Sequence, residues 1–283
     1  MIDLHTHTTA SDGGLSAPEL VSRASAAGLT VLSVTDHDAL ASCAAAAGAC
    51  AAAGIEFVPG IEITAVRDGG DVHTLGYFVD PASPGLAQFL AAQRQLRIDR
   101  VREMIARLAR FGIELDADRI LQPARDDASK SAGRPWIARA LVAGGYVKNS
   151  NEAFAIWLSR GAPAFVPRAG ASPAEVIARV HDAGGLASIA HPGPLNRDEW
   201  LPGFVESGLD AIEAYHTDHN AAATAKYLAL ADRLGIAVTG GSDFHADPVH
   251  GAALGGVTLP REAYERLKRR TFSQRSSRPL PAP

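Results

Sequence analysis

Short apolar runs alternate with longer, mixed apolar and polar stretches along most of this chain. Residues 2–5 read as a short strand, followed by a polar loop carrying Asp12-Gly13-Gly14. Ser16, with Pro18 near the first turn and Glu19 three positions on, has the form of a capping box and opens a helix ending near Gly28. Residues 29–34 are an apolar run of strand length that delivers Thr35-Asp36-His37-Asp38 at its C-terminal end. An alanine-rich helix is expected over 40–54. Phe57 and Val58 then form a short strand that leads through Pro59-Gly60 to Ile61-Glu62-Ile63, and residues 71–78 read as a further strand containing His73. Strands of this kind, alternating with helices of about 12 to 15 residues, predict βα units and a largely parallel sheet or barrel.

The rhythm changes in the middle. Residues 86–110 read as one long helix with Leu90, Ile98, Val101, Ile105 and Leu108 as its apolar stripe. Polar linkers follow, with helices near 137–143 and 151–159 and no convincing strand between Gly85 and Gly161. Residues 96–165 are therefore expected to form a small helical insertion between a first barrel part, 1–95, and a second, 166–283. In the second part 186–190 is a strand ending at His191-Pro192-Gly193, and 211–215 is a strand with His219 in its following loop. A helix over 221–234 precedes a strand over 236–239, whose loop carries Asp243-Phe244-His245. The tail after Phe272, rich in Ser, Arg and Pro, reads as irregular.

Composition removes several classes. With 47% hydrophobic and 20% charged residues among 283, the chain is too apolar for a disordered protein and too evenly mixed for a membrane protein. A net charge of -4 supplies no global positive field for a long nucleic acid. Cys43 and Cys50 are the only cysteines, share one helical face and form no CxxC pair, so core thiols are expected rather than a disulfide framework. The N-terminus shows neither a basic nor an apolar signal region, and no apolar run of about 18 residues exists to span a bilayer. A cytoplasmic protein without membrane contact or an obligate protein partner is the expectation.

The candidate chemistry lies in where the imidazoles and carboxylates fall. His5, His7, His37, Glu62, His73, His191, Asp243 and His245 all sit at or just beyond the end of an expected strand, and Asp12 is in the first loop. In a β/α barrel those strand ends converge on one face. His5-x-His7 and Asp243-x-His245 each place two donors on one side of an extended segment. One ion takes three or four protein ligands, so nine candidates imply two or three divalent metals, with Glu62 as a natural bridge. Asp36 and Asp38 flank His37 as partners that could fix its tautomer. His219 is a candidate substrate contact or general acid, His216 its bystander, and His181 and His250 are expected at the surface.

The motifs MIDLHTHTTASDG, SVTDHD, PGIEI, HTLGY, AHPG and GGSDFH resemble, in this order, those of the polymerase-and-histidinol-phosphatase (PHP) superfamily. The resemblance implies a distorted seven-stranded β/α barrel with a trinuclear site of Mn, Zn or Fe. It places His5, His7, Glu62 and Asp243 on one ion, Glu62, His73 and His191 on a second, and Asp12, His37 and His245 on a third. The segment SAGRPWIARALVAGGYVKNSNEAFAIWLSRGAPAFVP is similar to the insertion of small PHP phosphoesterases acting on nucleotides. That similarity implies hydrolysis of nucleoside 3′,5′-bisphosphates and 5′-monophosphates, or trimming of short 5′-phosphorylated RNAs, with the insertion as a lid forming part of the substrate pocket. Trp136 departs from the pattern, because histidine usually follows Gly-Arg-Pro there.

A guanidinium offers phosphate a two-pronged donor; Arg100 and Arg134 are the preferred phosphate contacts, ahead of Arg94, Arg97 and Lys148, because the resemblance implies that their helix and the Gly-Arg-Pro loop lie over the metals. His37 and His219 are further substrate contacts; Trp136, Phe154 or Trp157 could stack on a base. The expected reaction is metal-assisted hydrolysis of a phosphomonoester by a hydroxide bridging two ions, with manganese as the first metal. His219 and Asp36 are the expected catalytic side chains. The alternatives are a 5′-3′ exonuclease on short RNA, a histidinol-phosphatase activity, an amidohydrolase-like C–N hydrolase, and a non-catalytic metal or nucleic-acid-binding module. Against the amidohydrolase, no lysine occurs before Lys130 to serve as a carboxylated bridge.

Overall fold

Seven strands lie in chain order in one sheet: β1 (Ile2–Asp3), β2 (Val31–Val34), β3 (Glu56–Arg67), β4 (Gly70–Tyr77), β5 (Leu186–Ile189), β6 (Ala211–Tyr215) and β7 (Ala237–Gly240). This computed structural model describes residues 1–127, 130–246 and 251–277. β1, β2 and β3 pair in parallel, as do β5, β6 and β7, whereas β4 runs antiparallel to β5. The N–H of Leu4 donates to the Gly240 carbonyl (3.2 Å), that of Asp243 to His5 (2.9 Å) and that of His7 to Phe244 (2.9 Å). These bonds join the first strand to the last, so the sheet nearly closes into a barrel flanked by helices.

The mixed direction departs from the largely parallel sheet expected from the strand–helix rhythm. Its cause is the two-residue link between β3 and β4. Asp68 and Gly69 both have positive φ, 52° and 72°, the conformation of a tight hairpin turn, so no crossover helix intervenes. The break expected at Pro59-Gly60 is also absent, and β3 is one strand through both residues. Gly60 permits this because a Cβ there would lie 2.3 Å from the Ser33 Oγ and 2.8 Å from the Thr35 Cγ2.

The helices are α1 (Ala17–Ala26), α2 (Cys43–Ala53), α3 (Pro84–Ala109), α4 (Ala117–Asp126), α5 (Arg134–Ala143) and α6 (Ser150–Ala153), which continues as a π-helical turn over Phe154–Leu158. After them come α7 (Pro173–Asp182), α8 (Pro192–Leu195), α9 (Leu201–Glu206), α10 (Ala221–Leu234) and α11 (Arg261–Ser277). Ser16 caps α1 as expected: its N–H and hydroxyl both donate to the Glu19 carboxylate, at 2.9 and 2.6 Å. The tail read as irregular after Phe272 is helical as far as Ser277.

The chain divides into two compact units. The first comprises Met1–Ala65, Val72–Ala87 and Ser172–Pro283, and holds the barrel. One of its cores joins Leu4, Val58, Leu75, Leu186 and Ala211 from the strands to Tyr264 and Leu267 of α11. Another packs Val21 of α1 and Cys50 of α2 on Leu32 of β2; both cysteines are buried free thiols. The second unit comprises Val66–Asp71 and Gln88–Ala171, with its own core around Met104, Leu108, Leu121, Ile137, Leu141 and Leu158. Here α4 replaces an expected polar linker. Asp116 caps it by accepting from the Arg119 N–H (3.0 Å), and Ala117, Ile120, Leu121 and Ala124 form a short helical stripe on the core of this unit. Trp136, Phe154 and Trp157 are partly buried against this core, which accounts for their apolar faces.

Candidate metal centre

The nine candidate ligands converge in the first unit. Glu62, 1% exposed on β3, is the hub. Its Oε2 lies 3.3, 3.2 and 3.2 Å from ring nitrogens of His5, His7 and His37. Its Oε1 lies 2.8 Å from His73 and 3.2 Å from His191. One Asp243 oxygen is 3.2 Å from His5 and 3.1 Å from His7. Asp12 reaches His245 at 3.3 Å and His37 at 3.6 Å. The ends of β1, β2, β5 and β7 bring their ligand-bearing loops to one face, Glu62 and His73 join them from within β3 and β4, and the bridges Thr6 to Phe244 and His37 to Glu62 extend the pairing into those loops.

Ligand atoms of His5, His7, Glu62 and Asp243 lie mutually within 4.8 Å, as do those of His7, Asp12, His37 and His245, and those of His37, Glu62 and His73. These overlapping groups have the capacity for several divalent ions. A metal also fits the chemistry of the site. The His7 Nε2 and Asp243 Oδ1 are buried and face one another, yet neither makes a hydrogen bond within the protein. Buried polar atoms without partners are costly, and an ion between them removes that cost.

The electrostatics agree. Burial opposes ionisation of Glu62, but the His37, His73 and His5 imidazoles outweigh it and hold the carboxyl well below its ordinary range. Asp243 is partly buried and is held low by His5, His216 and His7. Burial pushes the pKa of His37 down to about 3.

Two residues outside the expected set belong to this network. Glu213 on β6 is fully buried; its Oε1 accepts from His5 Nδ1 (2.9 Å) and its Oε2 accepts from the His191 N–H (2.8 Å). His5 is thereby set with its Nε2 toward Glu62 and Asp243. The sequence signal for Glu213 is a lone carboxylate inside the apolar strand Ala-Ile-Glu-Ala-Tyr, the same signal that marks Glu62. His216, expected as a bystander, is buried with its Nε2 3.4 Å from the Asp243 Oδ2.

The two expected catalytic residues are placed differently. Asp36 is buried and accepts from Thr8 N–H (2.7 Å), Thr8 hydroxyl (2.7 Å), Ser11 hydroxyl (2.8 Å) and the Ser42 hydroxyl. These bonds tie Asp36 to Thr8 and Ser11 of the loop that carries Asp12. Asp38 accepts from the Thr64 N–H (3.1 Å). In His219 the Nδ1 donates to the Ala214 carbonyl (3.0 Å), and the Nε2 accepts from the Gly193 N–H (3.1 Å). Both nitrogens engage the backbone, which ties His219 to the turn after His191, and burial lowers its pKa. His181, expected at the surface, is partly buried 2.8 Å from Asp210; His250 lies outside the described residues.

Arg100 and Arg134 line a cavity of about 440 Å³ in the second unit. The Arg100 Nε donates to the Val166 carbonyl (2.9 Å), and the Arg134 guanidinium lies 5.5 Å from the centre of the Phe154 ring. Among the described residues no helix is long and apolar enough to cross a membrane.

A nearly closed seven-stranded barrel with clustered imidazoles and carboxylates at its strand ends defines a metal-dependent hydrolase. The PHP domain family matches residues 3–130. The chain is 35% identical over 259 residues to a 3′,5′-nucleoside bisphosphate phosphatase of Chromobacterium violaceum, spanning 90% of each protein. It is also 35% identical over 251 residues to a 5′-3′ exoribonuclease of Haemophilus influenzae, covering 86% of this chain and 89% of that protein. A solved amidohydrolase structure from Chromobacterium violaceum, with sulfate bound and no metal, superposes with a TM-score of 0.76 at 34% identity. That match covers 95% of this chain and 96% of the other. The chain belongs to the PHP superfamily, among its metal-dependent phosphoesterases acting on nucleotide-type substrates.

Proposed function

We propose that this protein hydrolyses phosphoesters at the 5′ end of short RNA, releasing nucleotides in the 5′ to 3′ direction. The carrying observation is Glu62, whose two buried oxygens lie within 3.3 Å of five imidazoles. A carboxylate so placed can serve two ions at once. When bound, divalent ions would lower the pKa of water and neutralise the phosphoryl oxygens. His5, His7, Glu62 and Asp243 would hold one ion. Glu62, His73 and His191 would hold a second, and Asp12, His37 and His245 a third. Imidazole and carboxylate donors suit manganese, with iron and zinc as the other metals such a set accepts. Water's oxygen bonds to phosphorus, the ester P–O bond breaks, and the leaving ribose oxygen takes a proton from solvent. Arg100 and Arg134 bind phosphate oxygens of the substrate.

The exoribonuclease relative supports the RNA substrate, and a cytoplasmic setting suits it. The relative acting on nucleoside 3′,5′-bisphosphate supports a second reading, removal of the 3′-phosphate from that mononucleotide. The test is an assay of manganese-reconstituted protein on 5′-phosphorylated RNA of a few nucleotides, nucleoside 3′,5′-bisphosphate, nucleoside 5′-monophosphate and histidinol phosphate. Mononucleotides appearing from the 5′ end are expected. Inorganic phosphate from the bisphosphate alone selects the second reading, and no turnover on any nucleotide refutes both.

A further inference from the structure

The second unit carries a concentration of positive charge that the metal-type cluster does not use. Arg97, Arg100, Arg134, Arg160 and Arg168 line one cavity, and among the described residues that line it Asp71 is the one carboxylate. Four of the five arginines are partly buried. They come from separate segments. Arg97 and Arg100 lie on α3, Arg134 opens α5, and Arg160 and Arg168 follow the π-helical turn.

Hydrogen bonds within the unit hold the guanidinium groups in place, mostly through neutral acceptors. Arg97 donates to the Ser131 hydroxyl and Arg100 to the Val166 carbonyl. The Arg160 Nη2 donates to the Gly69 carbonyl (3.1 Å) at the tip of the β3–β4 hairpin. Arg168 pairs with Asp71 on the same hairpin. Of these contacts, only the last involves a carboxylate. Burial, with Arg134, Arg168 and Arg97 close by, pushes Arg100 down to about 10, so it stays charged at neutral pH. Partly buried cations gathered around one carboxylate repel each other, which is destabilising. An anion completes them. A single phosphate takes one or two guanidinium forks, and five exceed what one phosphate can use.

We infer that this cavity is a multi-phosphate site for the backbone of an oligonucleotide, in which Arg100 and Arg134 take one phosphate and Arg160 with Arg168 take a neighbouring one. The inference rests on the RNA reading above and deepens it, because it makes chain length beyond the first nucleotide a determinant of affinity. At the hairpin tip, the Gly69 carbonyl and Asp71 orient the second pair of guanidinium groups.

The test is binding without turnover. Chelator-treated full-length protein is titrated with a 5′-phosphorylated RNA trinucleotide and with a nucleoside 5′-monophosphate at several salt concentrations. Each phosphate contacted on a single strand contributes a slope of about -0.7 to log K against log salt. The trinucleotide is expected to show a slope at least about twice that of the monophosphate. Arg160→Gln with Arg168→Gln should reduce the trinucleotide slope by about one and its affinity by roughly tenfold or more, lowering the trinucleotide-to-monophosphate affinity ratio. Arg160→Lys with Arg168→Lys, which preserves charge and guards against misfolding, should retain the slope. Equal slopes for the two ligands, equal losses on both ligands in the Gln variant, or a Lys variant as flat as the Gln variant would overturn the inference. Length-dependent binding without RNA cleavage by the metal-loaded protein overturns the catalytic reading alone; cleavage with equal slopes overturns this one alone.

Discussion

Glu213→Gln is the most informative single substitution in the barrel. The glutamate is fully buried and answers two donors, His5 Nδ1 at 2.9 Å and the His191 N–H at 2.8 Å. Glutamine keeps the shape but has one acceptor oxygen, so one of those donors faces an NH2 group. The lost charge-assisted bond is worth about 1.5–3 kcal/mol, while removal of a buried charge relieves a desolvation cost of similar size. Metal-free stability should therefore change little. Metal affinity should not escape, because His5 loses the partner that fixes its tautomer. A partner of this kind typically contributes about 10–100-fold in affinity, or about 1.4–2.7 kcal/mol. With melting shifts of about 2–4 °C per kcal/mol for a chain of this size, the metal-loaded variant should melt roughly 3–10 °C below wild type. Chelator competition and paired melts with and without manganese read both quantities. Wild-type metal affinity, or an equal melting loss with and without metal, would refute the argument that Glu213 acts through the ligands.

Other expectations follow from single contacts. His7→Ala removes a donor shared between two of the overlapping groups and Asp243→Ala a donor of one, and metal analysis should show fewer ions per chain together with loss of turnover; full turnover with fewer ions would contradict the proposed cluster. His219→Asn should lower the melting temperature and change the pH profile of turnover little, because the ring bonds Ala214 and Gly193; loss of only the alkaline limb would restore a general-acid role. Gly60→Ala should destabilise by about 1–3 kcal/mol in urea unfolding, since its Cβ would lie 2.3 Å from the Ser33 Oγ. Burial opposes the Glu56 charge, but bonds from Lys268 and Tyr264 win and lower its pKa. Its contribution is thus present above the unfolded value of about 4.3 and fades as pH falls through the lower folded value. Glu56→Gln should lower the urea midpoint at pH 7 and converge with wild type in strong acid.

The candidate ligands are legible in the sequence because such residues leave a local trace. His5-x-His7 and Asp243-x-His245 are period-2 pairs, and Glu62 is a charge inside an apolar strand, where it is expensive unless used. The same trace is present at Glu213 but is weaker, because no second donor stands beside it. The helical unit is legible as a change of period; α4 carries that period too, in Ala117, Ile120, Leu121 and Ala124, but over ten residues interrupted by Pro123, a residue that reads as a helix breaker.

Roles that depend on competition between partners are hidden from the sequence. Whether Asp36 and His219 face a substrate or the backbone depends on groups elsewhere along the chain: Thr8 and Ser42 for one, Gly193 for the other. Nothing local to Asp36 or His219 says that their lone pairs are already taken. The antiparallel β4 has the same origin, a hairpin whose twist outweighs the βα rhythm around it. Local order along the chain thus suffices for the donors, the strands that carry them and the superfamily. Hydrogen bonds across the closed barrel decide which of those donors remain free to act, because a buried polar atom binds whichever partner the fold brings within about 3 Å.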